Sequence, residues 1–156
     1  MSEPTQPQTE PQPNPNAVDN AGYVSHAIDT VNGGPLPGVE FTSAAGDIIC
    51  GITGSGGVAP AGSATCTPST WRDIIPQMPN ADPIMHGVIV NRGDPSPSYL
   101  YPDWFAQPAR TIPVLAAGKV ISFEGMTCEA IGATIRCSDD ILGQGFLVST
   151  DAVTLF

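Results

Sequence analysis

Basic residues are scarce in this sequence. It contains five Lys and Arg against 15 Asp and Glu, which gives a formal net charge of −10. Nucleic acids and anionic membrane surfaces attract proteins through clustered Lys and Arg. Because Lys119 is the one lysine, the sequence argues against a nucleic-acid partner and against binding to anionic lipid.

Long apolar runs and a high content of charge are also lacking. No apolar run approaches the roughly 18 residues of a membrane span, so no transmembrane segment is predicted. Charged residues make up 13% of the chain, about half of the usual ~25%, which excludes a highly charged coiled coil. Glycine and proline are abundant instead, at 17 each in 156 residues. The composition indicates one acidic domain with enough chain for a hydrophobic core.

The N-terminal stretch differs in kind from the rest of the chain. Residues 1–16 read MSEPTQPQTEPQPNPN, with five prolines and no apolar residue after Met1. Such a segment buries too little surface to offset its conformational entropy and favours an extended spacer. Residues 1–20 are therefore predicted to be a disordered Pro-rich linker, and 21–156 the folded domain. The alternative, a ligand for a proline-binding domain, lacks basic or aromatic anchors beside the prolines.

Two of the four cysteines predict a hairpin in a definite register. Gly132 and Ala133 fit the two-residue loop of a type II′ turn, and folding there places Cys128 opposite Cys137. The cysteines then share an apolar face with Ala130 and Ile135, as a core-facing surface requires. Counting from the turn, they form a non-hydrogen-bonded pair with Cα atoms about 4.5 Å apart, within disulfide reach.

The other two cysteines, Cys50 and Cys66, pair by elimination across a Gly-rich loop. A zinc site is the alternative, but zinc ligands usually come in closer couples such as C-x2-C. Two disulfides indicate an oxidising compartment. A charged n-region and an apolar h-region are both missing. We therefore expect an extracytoplasmic protein, secreted or anchored to the cell envelope, whose export signal is not in this chain.

Short apolar or alternating runs recur between Gly, Pro and Asp clusters. Runs of this length and spacing predict a mainly β fold, a small antiparallel β-sandwich or barrel. The predicted strands are 39–42, 47–53, 64–67, 86–91, 99–101, 111–115, 119–123, 126–131, 134–138, 146–149 and 153–156. Helical spacing of Tyr23, Val24, Ala27, Ile28 and Val31 predicts one short N-terminal helix. A further helical turn is predicted around Trp71.

A set of spaced residues resembles a known family pattern. Phe41-Thr-Ser-Ala-Ala-Gly-Asp-Ile-Ile-Cys50 is followed by Cys66, Trp71, Val114-Leu-Ala-Ala-Gly118, Cys128, Cys137 and Gly143-Gln-Gly-Phe146. This order resembles a family of small actinobacterial secreted or lipid-anchored cell-envelope domains of unknown function, over about residues 41–156. The resemblance implies a compact, mostly β, disulfide-bonded exported domain. It supplies no activity and no functional residues that could be carried over to this chain.

Residues for catalysis are few. A nucleophile needs an adjacent base, and the two histidines, His26 and His86, are each better interpreted as packing residues. Asp82, Asp94 and Asp103 lie in the Pro-rich middle, where a carboxylate pair is conceivable but unsupported. The sequence predicts no catalytic residue, no metal and no cofactor.

Two short motifs favour turns over sites. Asp139-Asp140 offers too few oxygen ligands for calcium and is interpreted as a solvated turn. Arg92-Gly93-Asp94 spells a tripeptide used in integrin adhesion, but average residue frequencies produce it by chance in roughly a few per cent of chains this long. It fits an exposed turn.

An aromatic cluster is the one candidate for an interaction surface. It consists of Tyr99, Tyr101, Trp104 and Phe105, between prolines and with Asp103 as the sole charge. Tyr and Trp supply rigid, amphipathic contact area for a protein or glycan partner. The alternative is that these rings form the edge of the core.

The leading hypothesis is a non-enzymatic extracytoplasmic domain of the cell envelope, tethered by its Pro-rich leader and used in binding or assembly. Its partner would be an envelope protein or a glycan. One alternative is a small secreted hydrolase with an unrecognised carboxylate or histidine site. The other is a structural accessory subunit of an envelope complex.

Overall fold

The fold was analysed in a computed structural model. The structure describes residues 14–25, 37–54, 62–76, 87–94, 97–100 and 112–156. The strands are β1 (Gly38–Thr42), β2 (Ile48–Thr53), β3 (Ser63–Pro68), β4 (Gly87–Asn91), β5 (Ser98–Leu100), β6 (Val120–Phe123), β7 (Met126–Ile131), β8 (Thr134–Asp139), β9 (Gly145–Val148) and β10 (Val153–Leu155). One helical turn, α1 (Trp71–Ile74), follows β3, and a 3-10 turn spans Asn20–Gly22.

The strands form two antiparallel five-stranded sheets. The first has the order β1-β2-β3-β4-β5, and the second runs β10-β9-β8-β7-β6. Each strand pairs with its neighbours in sequence, as in a meander. The sheets pack face to face, with β3 against β7 and β8, and β4 against β8 and β9. The mainly β prediction is confirmed, and the architecture is the sandwich.

The predicted Cys128–Cys137 hairpin is confirmed residue by residue. Cys128 pairs with Cys137, Glu129 with Arg136, and Ala130 with Ile135. Gly132 at the turn has a φ of +59°, a backbone conformation that glycine adopts without a steric penalty. The two cysteines form a disulfide with Cα atoms 4.1 Å apart.

The second predicted disulfide is confirmed as well. Cys50 of β2 lies opposite Cys66 of β3, and the two are bonded. Each sheet therefore has a disulfide between adjacent strands, β2 and β3 in the first sheet and β7 and β8 in the second. Both disulfides point inward, and all four cysteines are fully buried.

The core lies between the two sheets, where alternate positions of each strand face the opposite sheet. Phe41 and Ile52 from the first sheet and Met126 and Phe146 from the second are wholly buried there. The two disulfides lie within this cluster. The core also contains Cys128, Ala130, Ile135 and Cys137, the four positions that the alternation assigned to a core-facing surface.

Residues 14–25, here named the N-terminal strap, link the edges of the two sheets. Ala17 forms a parallel bridge with Val120 of β6, and Val24 an antiparallel bridge with Val39 of β1. The Val18 N–H donates to the Val120 carbonyl at 2.9 Å, and Val18 packs against the core. The sequence assigned residues 1–20 to a disordered linker, so its C-terminal boundary must be moved: residues 14–20 belong to the fold. Residues 1–13 lie outside the described residues.

The predicted N-terminal helix is wrong where the structure describes it. The strap contains a 3-10 turn capped by the Asp19 side chain, which accepts from the Ala21 N–H. Val24 then runs extended beside β1. Pairing with a sheet edge satisfies the backbone groups that a helix would otherwise bond internally, so tertiary context overrides the apolar spacing. The remainder of the predicted helix, residues 26–31, lies outside the described residues.

The outer face of the first sheet is buried and polar. Glu40 of β1 and Thr65 and Thr67 of β3 have almost no exposed surface, although they face away from the core. Thr53 and Ser63 share a hydroxyl–hydroxyl hydrogen bond of 3.0 Å on this face. The outer face of the second sheet, with Thr127, Glu129 and Arg136, is only partly buried. The two faces of the sandwich therefore differ in their environment.

Candidate functional site

At one end of the sandwich β2, β4, β6 and β8 end and β3, β5, β7 and β9 begin. We name this region the loop end, residues 92–94, 124–125 and 139–144. The Arg92 guanidinium donates from Nη1 to the Glu124 carbonyl at 2.8 Å, and the Asp140 N–H donates to the Gly125 carbonyl at 2.9 Å. The first of these bonds ties the first sheet to the second at this end.

Asp139, the last residue of β8, organises the loop end. Its side chain is wholly buried. Oδ2 accepts the Gly93 N–H at 2.7 Å, and Oδ1 accepts the N–H groups of Ile141 at 2.8 Å and Leu142 at 3.3 Å. One carboxylate thus fixes a turn of the first sheet and a loop of the second at the same time.

The electrostatics keep Asp139 ionised. Burial by itself raises the pKa of its carboxyl, because a low-dielectric surrounding disfavours the charged form. The hydrogen bonds from Gly93, Ile141 and Leu142, with the nearby positive charge of Arg92, outweigh burial and hold the pKa below its ordinary value. A carboxylate with such a pKa is a poor proton donor at neutral pH, so Asp139 is suited to a structural role and not to general acid catalysis.

The Arg92-Gly93-Asp94 tripeptide is part of this framework. Gly93 has a φ of +80°, and the Asp94 N–H closes the turn on the Asn91 carbonyl at 3.1 Å. Arg92 is held on Glu124 of the opposite sheet, and Gly93 is held on Asp139. These bonds give the tripeptide a role in joining the sheets.

The β6–β7 turn has the backbone that a tight hairpin needs. Glu124 and Gly125 both have positive φ, +45° and +84°, as in a type I′ loop. A Cβ added at Gly54 would lie 2.5 Å from Glu124 Oε2. The carboxylate of Glu124 therefore packs against the backbone at the end of β2, and a side chain at Gly54 would require it to move.

Two aliphatic side chains project from the loop end. Ile141 is 82% exposed and Leu142 44% exposed, although their backbone N–H groups are held by Asp139. The Gly143 N–H donates to the Asp139 carbonyl at 2.8 Å, and Thr127 Oγ1 donates to Asp140 Oδ1 at 2.6 Å. The loop is held at several points while it presents apolar surface to solvent. Such an arrangement is suited to contact with a partner.

The structure describes one of the four aromatic residues of the predicted partner surface. Tyr99 lies in β5 opposite Val88, a core residue, and its half-buried side chain packs against the core. Tyr101, Trp104 and Phe105 lie outside the described residues, as do His26, His86, Asp82 and Asp103. The interpretation of the rings as the edge of the core holds for Tyr99, and the surface hypothesis stays a prediction for the other three.

The interpretation of Asp139-Asp140 as a solvated turn is half right. Asp140 is exposed, but Asp139 is buried beneath three backbone N–H groups. Local sequence contains one signal for this: an Asp followed by apolar residues and Gly143 favours a side-chain-to-backbone turn. The bond to Gly93 joins residues 46 positions apart, so no local pattern indicates it.

Within the part of the chain that the structure describes, no group of three or more His, Cys, Asp or Glu side chains is arranged to hold a metal ion. None of its helices is long and apolar enough to span a membrane.

Comparison with known proteins gives no relative: no family model, no curated protein and no solved structure matches this chain.

Proposed function

We propose that this protein is a non-enzymatic binding or assembly domain of the cell envelope, and that the loop end is its contact surface. The observation that carries the proposal is the exposure of Ile141 and Leu142 on a loop fixed by Asp139. Binding is favoured when contact residues are held in place before the partner arrives, because less conformational entropy is then lost.

The compartment follows from the disulfides. Both bonds are buried in the core, and structural disulfides of this kind persist in oxidising surroundings outside the cytoplasm. The resemblance to actinobacterial envelope domains supports the envelope in particular. A Pro-rich tether formed by the first residues of the chain would hold the domain away from its anchor.

The loop end predicts two properties of the partner's surface. An aliphatic pair in the contact calls for an apolar pocket, and the exposed Asp140 with the net charge of −10 favours a basic rim on the partner. We therefore propose an envelope protein in preference to a neutral glycan. Tyr101, Trp104 and Phe105 are proposed as a further part of the contact surface.

Binding to isolated cell envelopes tests this proposal. The labelled domain is titrated onto washed envelopes of an actinobacterium, and the bound fraction is measured at low and high salt. We expect saturable binding whose affinity decreases as salt rises. In the double variant Ile141→Ser/Leu142→Ser the affinity should be at least about tenfold lower, a loss of 1.4 kcal/mol of binding free energy.

A matched control comes from the other end of the sandwich. Ile131 is 46% exposed in the β7–β8 hairpin, close to the 44% of Leu142, so Ile131→Ser removes about as much exposed apolar surface as Leu142→Ser alone, far from the loop end. It should bind like the original protein. Equal loss in both variants, or no saturable binding of the original protein, would refute the loop end as the contact surface.

A further inference from the structure

The edge strands of the two sheets differ in whether another segment of the chain pairs with them. At the edge of β1, Val24 pairs with Val39 and Val114 pairs with Thr42. At the edge of β6, Ala17 of the strap pairs with Val120. Both edges are thus covered by additional segments of the same chain, which is one way in which proteins protect unpaired edge strands.

The edge formed by β10 has no such cover among the described residues. The N–H and carbonyl of Phe156 both bond to Gly145 of β9, at 3.0 Å each. Because bonding alternates along an antiparallel pair, Thr154 also points its backbone groups at β9. The N–H and carbonyl groups of Val153 and Leu155 therefore point outward, away from the sheet, and no described residue bonds to them.

We propose that this edge pairs with β10 of a second copy of the chain. An antiparallel pair centred on Thr154 places Val153 opposite Leu155 of the partner subunit, and Leu155 opposite Val153 of the partner subunit. Each of these two pairs exchanges two main-chain hydrogen bonds. All four outward groups on each edge are satisfied by an identical edge, which is the condition for a two-fold symmetric contact.

The side chains favour a second copy over a partner recognised by charge. Residues 152–156 read AVTLF and carry no charged side chain, although the whole chain has a net charge of −10. Val153 and Leu155 lie on the face that carries Val148 and Phe146, so the proposed pairing places apolar side chains side by side across the new edge. Leu155 and Phe156 are 37% and 38% exposed in the single chain.

The charge of the whole chain predicts how dimerisation depends on salt. Two copies with a net charge of −10 each repel one another, and salt screens that repulsion. Dimerisation through β10 therefore strengthens as salt rises. The proposed binding at the loop end shows the opposite salt dependence, so the two contacts are distinguished by this one variable.

Sedimentation equilibrium of the full chain tests the proposal, over about 10 μM to 1 mM protein because a short edge contact is weak. We expect a monomer–dimer equilibrium that shifts toward dimer at high salt. Leu155→Pro removes an outward N–H that the single chain does not use, and proline is tolerated on sheet edges. We expect it to raise the dimer dissociation constant at least tenfold while the chain stays folded, as a cooperative urea transition shows. Ile131→Ser, which removes an exposed aliphatic side chain of the β7–β8 hairpin outside both proposed contacts, should dimerise like the original protein.

Amide hydrogen exchange provides a readout that needs no variant. The Thr154 amide is bonded to β9 and should exchange slowly at every protein concentration. The Val153 and Leu155 amides should exchange fast in dilute protein and at least several-fold more slowly in concentrated protein. A chain that stays monomeric at the highest concentration and salt, a dimer that Leu155→Pro does not weaken, or exchange at Val153 and Leu155 that ignores concentration would each overturn the proposal.

Discussion

Cys66 Sγ lies 3.9 Å from Cys137 Sγ, so the disulfide of one sheet contacts the disulfide of the other in the middle of the core. Cys66 belongs to β3 and Cys137 to β8, two strands that pack on one another. Each disulfide therefore joins neighbouring strands covalently, and the contact between them joins the sheets by packing.

The first prediction concerns the stability that these bonds provide. Replacing either cysteine pair with alanine should lower the free energy of unfolding by about 3 kcal/mol, chiefly because the unfolded chain gains conformational entropy when the cross-link is removed. The loss should be larger for Cys50–Cys66 by about 0.5 kcal/mol, because its sequence separation is 16 residues against 9. Urea unfolding of the two double variants and of the quadruple variant measures these values.

Contact between the disulfides adds a test of coupling. Residues in contact usually give non-additive losses of stability, so the quadruple variant should differ from the sum of the two double variants. Additivity within about 0.3 kcal/mol would show that the contact contributes nothing. Peptide mapping without reduction should return Cys50 linked to Cys66 and Cys128 linked to Cys137, and a crossed pairing would contradict the structure.

The second prediction concerns Asp139. Asparagine keeps one oxygen but brings an N–H group toward the Gly93 N–H, so Asp139→Asn should cost about 2–3 kcal/mol through lost charge-assisted hydrogen bonds and an unpaired buried donor. Asp140→Asn is the control, since Asp140 is exposed and accepts one hydroxyl. It should cost less than about 0.5 kcal/mol.

The stabilisation by Asp139 should also depend on pH. Its pKa is lower in the folded chain than the ordinary 3.8, so the folded state favours the ionised form. The contribution is fully present above the unfolded pKa and is lost as the pH falls from about 4 through the lower folded pKa. Urea midpoints of the original protein and Asp139→Asn should converge in that acidic range, and a constant difference would argue against this interpretation.

The third prediction concerns the N-terminal strap. Deleting residues 1–13 should leave the melting temperature within about two degrees, because the sequence there offers little apolar surface to bury. Deleting residues 1–20 also removes the pairing of Ala17 with Val120, the packing of Val18, and the bond from Asn20 Nδ2 to the Ser122 carbonyl at 2.7 Å. Calorimetry should then show a fall of about 5–10 °C. Equal melting temperatures would mean that the strap contributes no stability.

The fourth prediction separates two aromatic residues that the sequence placed together. Tyr99→Ala should destabilise by about 2–4 kcal/mol, because the ring packs partly against the core. Tyr101→Ala, if that ring forms part of the contact surface, should change stability by less than about 0.5 kcal/mol and reduce envelope binding. Denaturant midpoints are measured before binding. A loss of several kcal/mol in Tyr101→Ala would assign that ring to the core as well.

The strand pattern was largely predictable because short β elements leave a local signature. Ten of the eleven predicted strands match a strand of the structure. The eleventh, 111–115, supplies only the bridge between Val114 and Thr42. Proline at 113 and the short length limit this segment to covering the edge of β1.

The loop end was less predictable because its key bonds join distant residues. Asp139 and Gly93 are 46 positions apart, and Arg92 is 32 positions from Glu124. Each of these residues taken alone is typical of an exposed turn. The exposure of Ile141 and Leu142 follows from the same tertiary contacts, because Asp139 directs their backbone groups inward and leaves the side chains outside.

The sequence by itself determined the fold class and the register of the Cys128–Cys137 hairpin, since a two-residue turn and a period of two leave one consistent pairing. Tertiary structure alone decided that the two disulfides meet, that the strap closes one side of the sandwich, and that Asp139 is buried. The physical reason is the separation along the sequence over which each kind of interaction acts. Turn chemistry and alternation act between near neighbours, whereas sheet packing, edge pairing and burial depend on segments that meet only when the whole chain has folded.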